Sequence, residues 1–77
     1  METKEFINNF ADQFDDTELD VFTIDIRYRD LDEWSSLNAL AIMNMIEKKY
    51  GVSLKPEEMK QTETILELLD FVKSKKS

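Results

Sequence analysis

The sequence predicts an all-α fold with three main helices, a short extra helix and a long first connection. Three observations carry this reading. Apolar residues recur at spacings of three and four in three separate segments, the period of a helix with one buried face. The single glycine, Gly51, falls where one such segment ends, and the single proline, Pro56, falls where a short helix can begin. The only stretch that alternates, Val21 to Tyr28, has no second strand to pair with, and an isolated strand is unstable.

The first helix is expected from Thr3 to about Phe14. Phe6, Phe10 and Phe14 recur every four residues, and Ile7 and Ala11 widen their stripe. Asn8, Asp12 and Gln13 fall on the opposite face. The stretch from Asp15 to Ser35 is acidic but carries spaced apolar residues, among them Leu19, Val21, Phe22, Tyr28 and Trp34. It reads as an ordered loop pinned to the core, since connections of this length are functional or disordered.

The second helix is expected from Ser36 to Tyr50, with Ser35 as its N-cap. Leu37, Leu40, Met43, Ile46 and Tyr50 are expected to face the core. Lys48 and Lys49 complement the helix dipole in the last turn, and Gly51 supplies the left-handed residue that closes the helix. Pro56 suits the first position of a short third helix, with Glu57 and Glu58 in its first turn and Met59 inward. The last helix is expected from about Thr64 to Lys73. Thr64 to Glu67 fits a capping box, with Thr62 as a competing cap. Ile65, Leu68, Leu69 and Val72 form its buried stripe, and Ser74 to Ser77 are expected to fray.

Composition narrows the function. A chain of 77 residues is expected to form one domain, 1–77, with room for one core and little for a deep cleft. It has no cysteine and no histidine, so no thiol nucleophile, no thiolate metal site and no ordinary neutral-pH acid or base is encoded. Its net charge of −7 disfavours nucleic acid and anionic membranes and favours basic surfaces on partner proteins. No apolar run is long enough to span a bilayer, and the N-terminus does not resemble a signal peptide, so a cytoplasmic protein is expected.

Leu31-Asp32-Glu33-Trp34-Ser35-Ser36-Leu37 leads directly into a helix that ends Glu47-Lys48-Lys49-Tyr50-Gly51-Val52. This pattern resembles the acyl and peptidyl carrier protein family. Members carry an Asp-Ser-Leu signature, often preceded by Trp, then a helix ending in Glu, an aromatic residue, Gly and an aliphatic residue. The resemblance covers nearly the whole chain. It implies an acyl-carrier-protein-like, right-handed bundle, and a 4'-phosphopantetheine arm joined from coenzyme A to Ser36 by a phosphopantetheinyl transferase. Leu37, Trp34 and Ser35 would flank that arm. Its thiol would carry acyl or aminoacyl cargo as a thioester between loading and synthase enzymes. The protein itself would be a monomeric carrier and not a catalyst.

Two departures from the family stand out. Ser35 replaces the usual aspartate, which makes it a competing attachment site, although Leu37 sets the register in favour of Ser36. The outer face of the second helix, usually acidic, holds Ala41, Asn44, Met45 and Lys48, with Glu47 as the main acid left. Docking is therefore expected to use the loop end and apolar contacts such as Met45. Met43, Met45 and Met59 offer an adaptable pocket lining or ordinary core filling. Trp34 reads first as a packing anchor. The run Asp12, Asp15, Asp16, Glu18 and Asp20 lacks the glycine and spacing of a calcium loop and reads as a solvated face. The cargo stays open between fatty acid, polyketide, peptide and aminoacyl chemistry, with a specialised pathway preferred. The alternative from a different class is an unmodified helical adaptor, which phosphopantetheinylation would rule out.

Overall fold

The computed structural model describes residues 2–76. Four helices follow in order: α1 (Thr3–Ala11), α2 (Ser36–Tyr50), α3 (Pro56–Met59) and α4 (Ile65–Lys76). No strand forms among the described residues, and Arg27 and Thr64 make one isolated antiparallel bridge. No helix is long and apolar enough to cross a membrane.

Helix α1 lays Phe6 and Phe10 fully into the core against Ile42 and Ile46 of α2 and Ile65, Leu68 and Val72 of α4. It ends three residues before the expected Phe14. The chain there tightens into successive turns, Gln13 N–H to Phe10 O at 3.2 Å and Phe14 N–H to Ala11 O at 3.0 Å. These turns still deliver the Phe14 ring to the core. Asn9 is buried as well, and its Nδ2 donates to the Tyr50 hydroxyl at 2.9 Å, tying α1 to the end of α2.

The register of α2 differs from expectation. Ile42, Met45, Ile46 and Tyr50 are its buried residues, whereas Leu37 is 78% exposed and Leu40 53% exposed. The reason is geometric. Each step of three residues falls about 60° short of a full turn, so three such steps place Leu37 about 180° from Ile46. Met43 is half-buried. Gly51 has φ +70°, and its N–H bonds the Glu47 carbonyl at 3.0 Å, closing the helix as expected.

Both later helices are fastened at their starts by carboxylates. Glu58 accepts the Lys55 N–H at 2.9 Å. Glu67 accepts the Glu63 and Thr64 N–H groups, while the Thr64 hydroxyl accepts the Glu67 N–H at 3.1 Å. Thr64 is thus the cap, and Thr62 has another task. The end of α4 does not fray at Ser74: the helix runs on to Lys76. Lys75 Nζ holds that turn through Glu58 at 2.7 Å and the Ser53 carbonyl at 3.3 Å. Ser77 lies outside the described residues.

Residues 12–35 form the expected ordered loop, with short 3-10 turns at Leu19–Val21 and Tyr28–Asp30. Phe22 and Tyr28 are buried, but Leu19 and Val21 point outward. Tyr28 is the principal tether. Its hydroxyl meets the Thr62 hydroxyl at 2.5 Å, the Thr62 carbonyl at 3.0 Å and the Met59 carbonyl at 3.2 Å. One of the two hydroxyl protons lies between the Tyr28 and Thr62 oxygens, and the other serves the carbonyl of Met59, at the end of α3, or of Thr62, just beyond it. Arg29 adds a bond to the Lys60 carbonyl at 2.9 Å and another to the Thr62 carbonyl. Leu66 N–H bonds the Ile24 carbonyl at 2.8 Å, so the loop also fastens the first turn of α4.

Tyr28→Phe tests this tether. It keeps the ring and strands buried partners of the hydroxyl, at a cost of about 1–3 kcal/mol. The urea midpoint is expected to fall by that free energy divided by the slope, with the slope itself unchanged. A midpoint equal to wild type would show that the hydroxyl contributes nothing to holding the loop.

Candidate functional site

The loop delivers Trp34, Ser35 and Ser36 to the start of α2. An aromatic chain places them: Phe10 and Tyr28 ring centroids lie 5.4 Å apart, Tyr28 and Trp34 5.0 Å, and Phe14 and Trp34 6.2 Å. Trp34 is half-buried and packs on the core, which agrees with its reading as an anchor. It also borders the groove described below.

Glu33 fixes the same segment from the polar side. Its carboxylate accepts the Asp15 N–H at 2.8 Å, the Asp16 N–H at 3.1 Å and the Thr17 hydroxyl at 2.7 Å. The two ends of the loop are thereby clasped together. These bonds, the one from Thr17 foremost, hold the Glu33 carboxyl below the ordinary carboxylate range. Burial pushes the Tyr28 phenol up, so it stays neutral and able to donate.

The two serines are in different situations. Ser35 is the N-cap, with extended φ −153°. Its hydroxyl donates to Asn38 Oδ1 at 2.8 Å and accepts the Asn38 N–H at 3.4 Å. Asn38 in turn donates through Nδ2 to the Gln13 carbonyl at 3.2 Å, bridging to the end of α1. Ser36 is the first residue of α2 and is exposed, and its hydroxyl has no hydrogen-bond partner among the described residues. No acidic residue lies in the first turn of α2, so no carboxylate within that turn competes for its free amides.

Beside Ser36 a groove of about 610 Å³ runs between α2 and α3. Trp34, Leu40, Met43 and Met59 give it a mostly apolar lining, and Lys60 stands at its border. Met43 and Met59 thus serve both readings, filling the core from one side and lining the groove from the other. Leu37 is exposed next to Ser36 and does not line the groove.

A family model described as the phosphopantetheine attachment site, PP-binding, matches residues 6–72. The chain belongs to the phosphopantetheine-attachment family. Comparison with individual curated proteins gives no match. Phosphopantetheine-attachment domains are carriers on which 4'-phosphopantetheine is covalently joined, and they work with partner enzymes. The residues present fit that group. An exposed hydroxyl without a partner stands where helix amides favour a phosphate, and an apolar groove adjoins it.

The residues expected to dock partners are only partly brought together. Ala41, Asn44 and Met45 border a shallow depression of about 330 Å³ with Lys48, and Glu47 is exposed but outside it. Met45 does not project for docking: it is 4% exposed, because it shares the inward face with Ile42 and Ile46. Among the described residues no three side chains of the metal-ligating types His, Cys, Asp or Glu gather as a metal site. Sequence reasoning missed Glu33 and Asn38 as braces and Leu40 and Lys60 as groove residues. The Ser35-x-x-Asn38 spacing carried a signal for one of them, since it resembles a capping box. The bonds of Glu33 reach 16 to 18 residues back and left no local trace.

The lowered Glu33 pKa sets a pH dependence. A depressed folded value stabilises the fold above the unfolded pKa of about 4.3 and is lost as pH falls through the folded value. Glu58 and Glu63, also held low by Lys75 and Arg27 respectively, act in the same window. Glu33→Gln is expected to lower the urea midpoint at pH 7 and to shrink the further loss between pH 5 and the folded value. An acid limb identical to wild type would mean that the Glu33 bonds carry no stability.

Proposed function

We propose that Ser36 Oγ is the attachment atom, and that residues 1–77 act as one carrier domain for thioester-bound acyl or aminoacyl intermediates. The observation that carries this is the pair of serines. Ser35 is occupied in capping α2, while Ser36 presents an exposed hydroxyl without a partner in a chain of the phosphopantetheine-attachment family.

Attachment forms an Oγ–phosphorus bond at Ser36 and breaks the pyrophosphate linkage of coenzyme A, releasing the nucleotide part. The serine proton must leave to a base that this chain does not supply, since it has no histidine and no acid in the first turn of α2. The transferase provides that base. The first-turn amides of α2 favour the phosphodiester by about 0.3–1 kcal/mol at an exposed helix end, and Lys60 adds a positive charge at the groove border. When attached, the arm supplies the thiol that the sequence lacks. Trp34, Leu40 and Met43 offer apolar cover for the arm or its cargo, which supports acyl or apolar aminoacyl groups. Fatty acid, polyketide or another secondary-metabolite assembly would use such a carrier, with loading and synthase enzymes as partners. The chain moves the cargo and leaves the chemistry to them.

The test is intact mass after incubation with coenzyme A and a broad-specificity phosphopantetheinyl transferase, or one encoded beside this gene. Wild type and Ser35→Ala are expected to gain one phosphopantetheine, and Ser36→Ala none. Loss of the gain in Ser35→Ala alone would move the site to Ser35. No gain in wild type with either enzyme would favour an unmodified adaptor that binds through Leu37 and Leu40.

A further inference from the structure

The charge of this protein is unevenly placed. Residues 12–36 contain nine carboxylates and only two cations, Arg27 and Arg29, so this segment holds −7, the whole net charge, and the remaining residues balance to zero. Both cations are committed. Arg27 pairs with Glu63 at 2.5 Å, and Arg29 bonds the Lys60 and Thr62 carbonyls. Of the acids, Glu33 is consumed by the loop clasp and Asp25 by the Thr23 hydroxyl. The side chains of Asp16, Glu18, Asp20 and Asp32 have no hydrogen-bonded or ion-paired partner among the described residues.

These acids surround an apolar feature. A surface depression of about 570 Å³ is lined by Val21 and Leu31 on the apolar side and by Asp16, Glu18 and Asp32 on the other. Val21 is 42% exposed, and its neighbour Leu19 is 58% exposed. Leu19 and Val21 are the large aliphatic side chains of this loop that stay outward, while Phe22 and Tyr28 are drawn in. Glu33 also borders the depression, three positions before Ser36. The outer face of α2 has no comparable charge: Glu47 and Lys48 are adjacent and cancel.

We propose that this loop depression is the docking surface for the enzymes that act at Ser36, seating an apolar side chain ringed by lysine or arginine. The inference rests on the carrier reading above and adds where and by what chemistry the partner engages. Carboxylates without partners would steer a cationic patch, and Leu19 and Val21 would be covered on contact. Because the Glu33 clasp joins this loop to the start of α2, a partner seated there approaches the same end of the bundle as the Ser36 hydroxyl.

The experiment measures kcat and KM for Ser36 modification by the broad-specificity transferase, over a range of salt. Three variants are compared with wild type: Glu18→Gln/Asp20→Asn, Leu19→Ser/Val21→Ser, and Glu5→Gln/Asp70→Asn. The third makes the same change in net charge on α1 and α4. All six substituted positions are exposed, and circular dichroism checks that each variant stays folded. The first is expected to raise KM on the order of tenfold at low salt, converging with wild type at high salt. The second is expected to raise KM at every salt concentration, and the third to leave it within about twofold. Equal effects of the two charge variants, or normal KM in both loop variants, would overturn the docking surface while leaving the carrier intact. Failure of wild type to be modified at all would overturn the carrier reading and this inference with it.

Discussion

The buried Tyr28 phenol is the contact on which the working end of this protein depends. Residues 12–35 cross from α1 to α2 with little repeating backbone structure of their own. Ordering such a connection costs roughly 1–2 kcal/mol of backbone entropy per residue. The Tyr28 ring joins Phe10 and Trp34 against the core, and its hydroxyl reaches the carbonyls of Met59, at the end of α3, and Thr62, just beyond it. One side chain therefore does two things at once: it buries aromatic area and it satisfies backbone acceptors between α3 and α4. Without it the loop would keep its apolar residues but lose the polar bonds that select one position for them.

From that tether the geometry runs forward to the site. Trp34 packs at a tilt against Tyr28, Glu33 clasps the far end of the loop, and Ser35 caps α2 through Asn38. Each step removes freedom from the segment just before Ser36 and spends one polar group in doing so. Ser36 is left with an exposed hydroxyl that no partner among the described residues takes up, at a helix end that favours an anion. The groove beside it is mostly apolar because Trp34, Leu40, Met43 and Met59 line it between α2 and the single turn of α3.

Much of this was legible in the sequence. The helix ends that carry a local cap signal were read well: Gly51, Pro56 and the Thr64–Glu67 box depend on residues within a turn of each other. The stripe of α4 and the placing of Ser36 before Leu37 were legible for the same reason. The inward face of α2 was not. Its first turns carry apolar residues on two faces, and only packing against α1 and α4 decides between them. That choice exposed Leu37 and Leu40 and buried Met45. The early end of α1, the burial of Asn9 against Tyr50 and the persistence of α4 past Ser74 depend on backbone turns or distant partners. A periodicity argument contains neither.

The loop tethers share one property: nearly all of them end on main-chain atoms. Tyr28 and Arg29 reach carbonyls of Met59, Lys60 and Thr62, Leu66 N–H finds the Ile24 carbonyl, and Glu33 takes the Asp15 and Asp16 amides. A carbonyl is present whatever the side chain, so the anchoring is largely blind to the identity of the residues it grips. The outward letters between the anchors are then free to be rewritten over evolutionary time without disturbing the scaffold. Divergent copies could keep one architecture and acquire new clients by changing a handful of surface residues.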